Sequence, residues 1–320
     1  MKKFSIIFGV IALLILGYFI LDSILFDGIK AEPIDDYGFK ANHFKKENSA
    51  SAPAIILLGG GQWGDYWGQE FAKNGFIGLS LPYMGREGLP KLPEEIDLEY
   101  IENAINWLQE QPEVNATKIA VMGASRNAEL ALLIASTFPQ MISGVIAYAP
   151  SSVAWSNTVL PYNSDEVKPS WMYKGVAIPY VPMEKISANE TGEIKMLEYW
   201  KKGLSKMEEV SRAAIKVEQI NGPILLFSGK DDRVWPSAEM ADSIEKRLNE
   251  HNFKYSIQNI QYDSVGHSIS GNPEDKSRVE RRTIKIDGKD YQYTTGGNAD
   301  SEFKAKQDAK NKVFAFLNKL

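Results

Sequence analysis

Three short segments of this chain carry side chains that could act together on an acyl group. In the first, KIAVMGASRNAELALLIA, a strand-like apolar run meets Gly123-Ala124-Ser125 and passes at once into helical periodicity. Small residues beside a serine let the backbone turn sharply between strand and helix. The hydroxyl is then presented at a helix N-terminus, whose dipole favours developing negative charge. The usual pattern is G-x-S-x-G, and its last position here is Asn127. Asn tolerates positive φ better than other non-glycine residues, so the turn remains feasible. Position 127 is expected to face the sheet, where an extra side chain strains the turn and Asn127→Gly preserves or raises activity. A serine opening a helix is also a common N-cap, so this segment alone does not separate scaffolding from chemistry.

The second segment, PILLFSGKDDRVWP, is a buried strand followed by a turn with two aspartates. A carboxylate there can orient a histidine and stabilise its charged form. Asp232 is the expected acid, whereas Asp231 fits the ordinary role of an aspartate that forms a turn or caps a helix. The third segment, SIQNIQYDSVGHSI, ends a strand with His267. Of the other two histidines, His43 precedes the first expected sheet strand and His251 closes a helix in LNEHNF. Imidazole as a class titrates near neutral pH, as a general base needs, and His267 is the expected base. A negatively charged tetrahedral intermediate also needs backbone N–H groups nearby. The loop Leu58-Gly59-Gly60-Gly61-Gln62-Trp63 lets substrate approach the backbone, and the expected oxyanion hole is the Arg126 amide with that of Gly61 or Gln62. This loop lacks the lysine of GxxxxGK[ST] and the spacing of GxGxxG, which argues against a phosphate-binding loop.

These segments need strands that end at one edge. Runs at Ala54–Leu58, Phe76–Leu81, Lys118–Met122, Gly144–Ala149, Ile224–Phe227 and Tyr255–Tyr262 read as strands, with helical periodicity between them. Such alternation implies a mostly parallel sheet with helices on both faces. With the chain order Ser, Asp, His, the expected class is the α/β-hydrolase fold. Residues 151–221 break the alternation with four prolines, several aromatics and then a charged helical stretch, and are expected to form a cap over the site. In RTIKIDGKDYQY, Asp287-Gly288 signals a two-residue hairpin turn.

Composition removes several classes. The chain has 320 residues, 44% of them apolar, which suffices for a large core. Its net charge of −5 leaves no basic footprint for nucleic acid. Without cysteine, and with only three histidines and no HExxH, neither thiol chemistry nor a metal or other cofactor is expected.

At the N-terminus, Lys2 and Lys3 precede an apolar run from Phe4 to Leu21, and Asp22, Asp27, Glu32, Asp35 and Asp36 come after it. A run of this length just crosses a bilayer, and the positive-inside rule exports the acidic side. The expected layout is a membrane anchor over residues 1–27, a linker or edge segment over 28–52, and a catalytic domain over 53–320. The chain is then single-pass with its catalytic domain outside the membrane. The alternative is secretion after signal cleavage, although Ile29 and Ala31 make a poor cleavage site.

From about Pro53 onward the chain also resembles a named family. LEYIENAINWLQEQPEV, GASRNAELAL, YKGVAIPYV, AAIKVEQINGPILLFSGKDDRVWPS, VGH, TTGG and AKQDAKNKVFAFLNKL are similar to the C-terminal catalytic domain of acyl-CoA thioester hydrolases and bile acid-CoA:amino acid N-acyltransferases. The resemblance implies Ser125 as nucleophile, Asp232 as acid and His267 as base. It departs at Arg126-Asn127, where the family usually has Lys-Gly. It departs again at the N-terminus, where a hydrophobic segment and linker stand in for the family's β-sandwich domain. The expected activity is hydrolysis of a small-molecule ester or thioester through an acyl-enzyme. Acyl transfer to an amine or alcohol, peptide cleavage, or a catalytically silent membrane-tethered binding protein are the alternatives.

Overall fold

The structure is a computed structural model that describes residues 7, 9–18, 20, 29–46, 51–157, 166–183, 189, 192–277, 280–286 and 289–320. In chain order, β1 (Glu32–Ile34), β2 (Ala41–Phe44) and β3 (Ala52–Leu58) precede α1 (Gly61–Lys73) and β4 (Ile77–Leu81). Then come β5 (Ile96–Asp97), α2 (Glu99–Gln109), β6 (Val114–Ala124), α3 (Arg126–Thr137) and β7 (Gly144–Tyr148). The segment expected to form a cap carries β8 (Trp171–Tyr173), β9 (Val176–Ala177), α4 (Met196–Leu204) and α5 (Met207–Ala213). The remaining elements are β10 (Ile224–Gly229), α6 (Ser237–Glu250), β11 (Ile257–Tyr262), β12 (Arg281–Ile286), β13 (Lys289–Thr294) and α7 (Ala299–Leu317).

Eight strands form the central sheet in the order β1-β2-β4-β3-β6-β7-β10-β11. From β4 to β11 every neighbouring pair is parallel, and β1 and β2 pair antiparallel at one edge. The continuous apolar runs of the inner strands are the result of burial on both faces. In β3, Ile56 and Leu58 enter one core cluster with α2, α3 and α6, while Ile55 and Leu57 enter another with α1 and α7. That two-residue alternation is strand geometry, here apolar on both sides. This sheet with helices on both faces is the α/β-hydrolase fold.

Residues 28–52, read as linker or edge, contribute β1 and β2. A third cluster joins Trp155, Val181, Met196 and Trp200 of segment 151–221 to Val234, Trp235 and Met240. Through β5 and β8 the same segment joins a small three-stranded sheet. The hairpin read around Asp287-Gly288 is flanked by β12 and β13, paired from Ile286–Lys289 outward, and its two central residues lie outside the described ones. Of the Phe4–Leu21 run, residues 9–18 are helical and mostly exposed. Positions 4–6, 8, 19 and 21 lie outside the described residues. Among the described residues, no helix is long and apolar enough to cross a membrane.

Candidate active site

Because β3, β6, β10 and β11 run parallel, the loops at their C-terminal ends share one edge of the sheet. These loops carry Gly59–Gly61, Ser125, Asp232 and His267 respectively. Such an edge, outside the C-terminal strand ends, is where open α/β sheets hold their ligands.

Ser125 sits at φ 59° and ψ −122°, between β6 and α3. Its backbone N–H donates to Tyr148 O at 2.8 Å, and its carbonyl accepts from the Ala128 and Glu129 amides. The turn is tight enough that a Cβ on Gly123 would lie 2.1 Å from Asn127 O, so only glycine fits there. A non-glycine residue held at positive φ is a strained arrangement that surrounding structure must enforce.

His267 Nε2 lies 3.0 Å from Ser125 Oγ, and Nδ1 lies 2.8 Å from Asp232 Oδ2. With Nδ1–H donating to the carboxylate, Nε2 is left to accept from the serine hydroxyl. The imidazole is 14% exposed and the Asp232 carboxylate 2%. Trp235 meets the imidazole edge to face, with centroids 5.8 Å apart. Asp232 also accepts from the Val234 and Trp235 amides at 2.9 and 3.1 Å and from Ser237 Oγ at 2.7 Å. Together with His267 these fill the four lone-pair positions of the carboxylate and fix its orientation. Asp231 points elsewhere, accepting from Arg233 Nε at 2.6 Å and from the Gly297 amide at 2.9 Å. The loop that ends in Gly297 also supports the base, since Thr295 O accepts from the His267 amide at 2.9 Å. His43 lies in β2, and His251 binds Arg247 O at the end of α6.

Gly61 and Gln62 open α1, and Arg126 opens α3. First-turn N–H groups have no acceptor within their own helix, which leaves them for a developing anion. A Cβ on Gly61 would meet nothing within 4 Å, so its surroundings are open. Trp63 Nε1 donates to Ser270 O at 2.9 Å and ties α1 to the turn that carries His267.

Two features here had little signature in the chain. The first is Asn127, whose side chain does not lie on the sheet as expected. Its Oδ1 accepts from Tyr83 Oη at 2.6 Å, and its carboxamide packs over Gly59. The reason is local: the α3 backbone already occupies the space beside Gly123, so the side chain turns toward the loops after β3 and β4. The second is Glu129, which is fully buried. It accepts from Arg126 Nη1 at 2.6 Å, the Trp155 amide at 3.0 Å and Trp171 Nε1 at 2.7 Å. Burial pushes its carboxyl up, and Arg126 opposes that shift. Arg126 Nη2 reaches Trp155 O, Ser156 O and Ser170 Oγ in segment 151–221. The spacing of Arg126 and Glu129, three apart on one helix face, was the available clue. No group of three or more His, Cys, Asp or Glu that could hold a metal occurs among the described residues. A hydroxyl bonded to an imidazole that is itself oriented by a carboxylate is the geometry of an activated nucleophile.

Known proteins resemble this chain in both sequence and fold. Residues 96–320 match a family model described as BAAT / Acyl-CoA thioester hydrolase C terminal. The chain is 27% identical to acyl-coenzyme A thioesterase 6 of Homo sapiens over 91% of its own length and 66% of that protein's. It is 29% identical to acyl-coenzyme A amino acid N-acyltransferase 2 of Mus musculus over 76% of its own length and 55% of that protein's. The chain spans half to about two thirds of the length of the curated relatives it matches. Among solved structures, a dienelactone hydrolase candidate from Klebsiella pneumoniae subsp. pneumoniae MGH 78578 superposes with a TM-score of 0.54 at 13% identity. The superposition covers 91% of this chain and 99% of that one.

Proposed function

Since the family model matches residues 96–320, this chain belongs to the BAAT / acyl-CoA thioester hydrolase C-terminal family, and from that premise we propose a serine hydrolase that cleaves carboxylic esters or thioesters. The observation that carries the reading is the unbroken relay from Asp232 through His267 to Ser125, with separations of 2.8 and 3.0 Å. Ser125 Oγ attacks the acyl carbonyl while His267 Nε2 takes its proton. Negative charge on the carbonyl oxygen is met by the Arg126 amide and by those of Gly61 and Gln62. Collapse of the intermediate expels the thiol or alcohol, which leaves with the proton from His267. Water, deprotonated by the same imidazole, attacks the acyl carbonyl, and the acid departs as that proton returns to Ser125 Oγ.

A second reading keeps the acyl-enzyme and replaces water by an amine. It is favoured by the relative whose name is that of an amino acid N-acyltransferase. Placement of the catalytic domain outside the membrane is supported by the lysines before the apolar run and the acids after it.

A fluorophosphonate probe tests the nucleophile directly. It is expected to label the parent protein and not Ser125→Ala, and absence of labelling in the folded parent would overturn the reading. Turnover of p-nitrophenyl esters and acyl-CoA, with and without an added amino acid, separates hydrolysis from transfer.

A further inference from the structure

The loops after β4, β3 and β6 lie side by side, because those strands are neighbours in that order. Tyr83 stands in the first of these loops, Gly59 in the second and Asn127 just beyond the third. The Tyr83–Asn127 hydrogen bond therefore crosses the glycine loop from one side to the other. A Cβ built on Gly59 would lie 2.3 Å from Asn127 Nδ2 and 2.8 Å from Cγ, so the carboxamide occupies the space directly above Gly59. One built on Gly60 would lie 2.7 Å from Pro82 Cδ, the residue before Tyr83. Tyr83 is buried, packs edge to face on Trp171 with centroids 5.5 Å apart, and burial pushes its hydroxyl well above the usual phenol range. It stays a neutral donor, and its single O–H fixes which end of the Asn127 amide faces it.

We propose that Asn127 is a positioning residue for the oxyanion hole, clamping the glycine loop against the nucleophile turn through its bond to Tyr83. The inference rests on the serine hydrolase reading above. Its physical basis is that the hole has two halves on separate loops: the Arg126 amide comes directly after Ser125, and the Gly61 and Gln62 amides come shortly after Gly59. Stabilising an anion requires both halves at hydrogen-bonding distance from one oxygen, and a small relative shift weakens them together. Asn127 sits one residue from the first half and packs on the segment that leads to the second. Where the family pattern has glycine, this chain places a side chain that joins the two.

The test is a double-mutant cycle in the full chain with Asn127→Gly, Tyr83→Phe and both together. Tm is recorded alongside kcat and KM for a p-nitrophenyl ester and an acyl-CoA. Each single change is expected to lower kcat about tenfold or more with KM within about twofold, since a misplaced hole weakens the transition state more than ground-state binding. The double variant is expected to be no slower than the worse single one, because both remove the same clamp. Parent-like kcat in folded Asn127→Gly, or kcat losses that multiply in the double variant, would overturn the proposal. Tyr83→Phe deletes only a hydroxyl and keeps the cycle readable if Asn127→Gly fails to fold. Ser125→Ala is run in parallel: full activity there refutes the serine hydrolase reading, whereas its loss alongside unchanged Asn127→Gly kinetics refutes only the clamp.

Discussion

Replacing Glu129 by Gln keeps the shape of the side chain and turns one hydrogen bond into a contact between two donors. Glu129 Oε1 holds both the Trp155 amide and Trp171 Nε1, and a Gln oxygen can keep those two. Oε2 faces Arg126 Nη1 at 2.6 Å, and there the variant sets an NH2 against a guanidinium N–H. Breaking a buried pair by removing one partner costs about 3–5 kcal/mol. The lower end applies, because the Arg126 side chain is 16% exposed and keeps acceptors at Trp155 O, Ser156 O and Ser170 Oγ. At about 2–4 °C per kcal/mol for a domain of this size, a loss near 3 kcal/mol lowers Tm by roughly 6–12 °C. Thermal unfolding monitored by circular dichroism, with urea titration for the free energy, measures it. A Tm within about 2 °C of the parent for Glu129→Gln would refute this account.

The same geometry fixes other outcomes. Ser125→Ala and His267→Ala are each expected to abolish nearly all turnover without lowering Tm, and Asp232→Asn to reduce kcat by about 10³–10⁴-fold. Asp231→Asn is expected to be mild in kcat, and the reverse ranking of the two aspartates refutes the choice of acid. Burial holds the His43 imidazole below its ordinary value of 6.5, although Glu32 and Glu113 oppose this and Lys45 adds to it. Below pH 6.5 the unfolded chain therefore binds a proton that the folded one refuses, so stability falls as pH drops through that window. Urea unfolding at about pH 7.5 and about pH 5.5 is expected to show a smaller loss in His43→Gln than in the parent, and equal losses count against it. Protease added to intact cells is expected to digest the catalytic domain from outside, and protection until lysis would place it in the cytosol.

The inner strands were readable because each is buried on both faces, and continuous Ile, Leu and Val runs result from that directly. Ser125, Asp232 and His267 were readable for a related reason: each lies just past a strand, so local sequence showed both the residue and its support. β1 and β2 were legible only as an edge segment, since EPI and ANHF are too short and too polar to show a period. Tyr83 and Asn127 carry no pattern that predicts their meeting, because the contact is made by strand order and not by spacing along the chain. The reading of Asn127 as a residue facing the sheet failed for that reason. Glu129 is a polar residue in an otherwise apolar stretch of helix, and its partners Trp155 and Trp171 come from segment 151–221, far along the chain.

The turn at Thr295-Gly296-Gly297 braces both Asp231 and the His267 backbone, and a Cβ on Gly296 would fall 1.7 Å from Asp231 O. Behind it, α7 sets Ala305, Ala309, Val313 and Phe316 into the same core cluster as Met122 and Phe227. During synthesis, the nucleophile turn leaves the ribosome long before any of this. Sheet strands through β11 can pair before the Thr295 carbonyl reaches the His267 amide. Under the proposed hydrolase function, a chain clipped before residue 299 keeps Thr295 yet loses the α7 packing behind it, and its turnover is expected to fall.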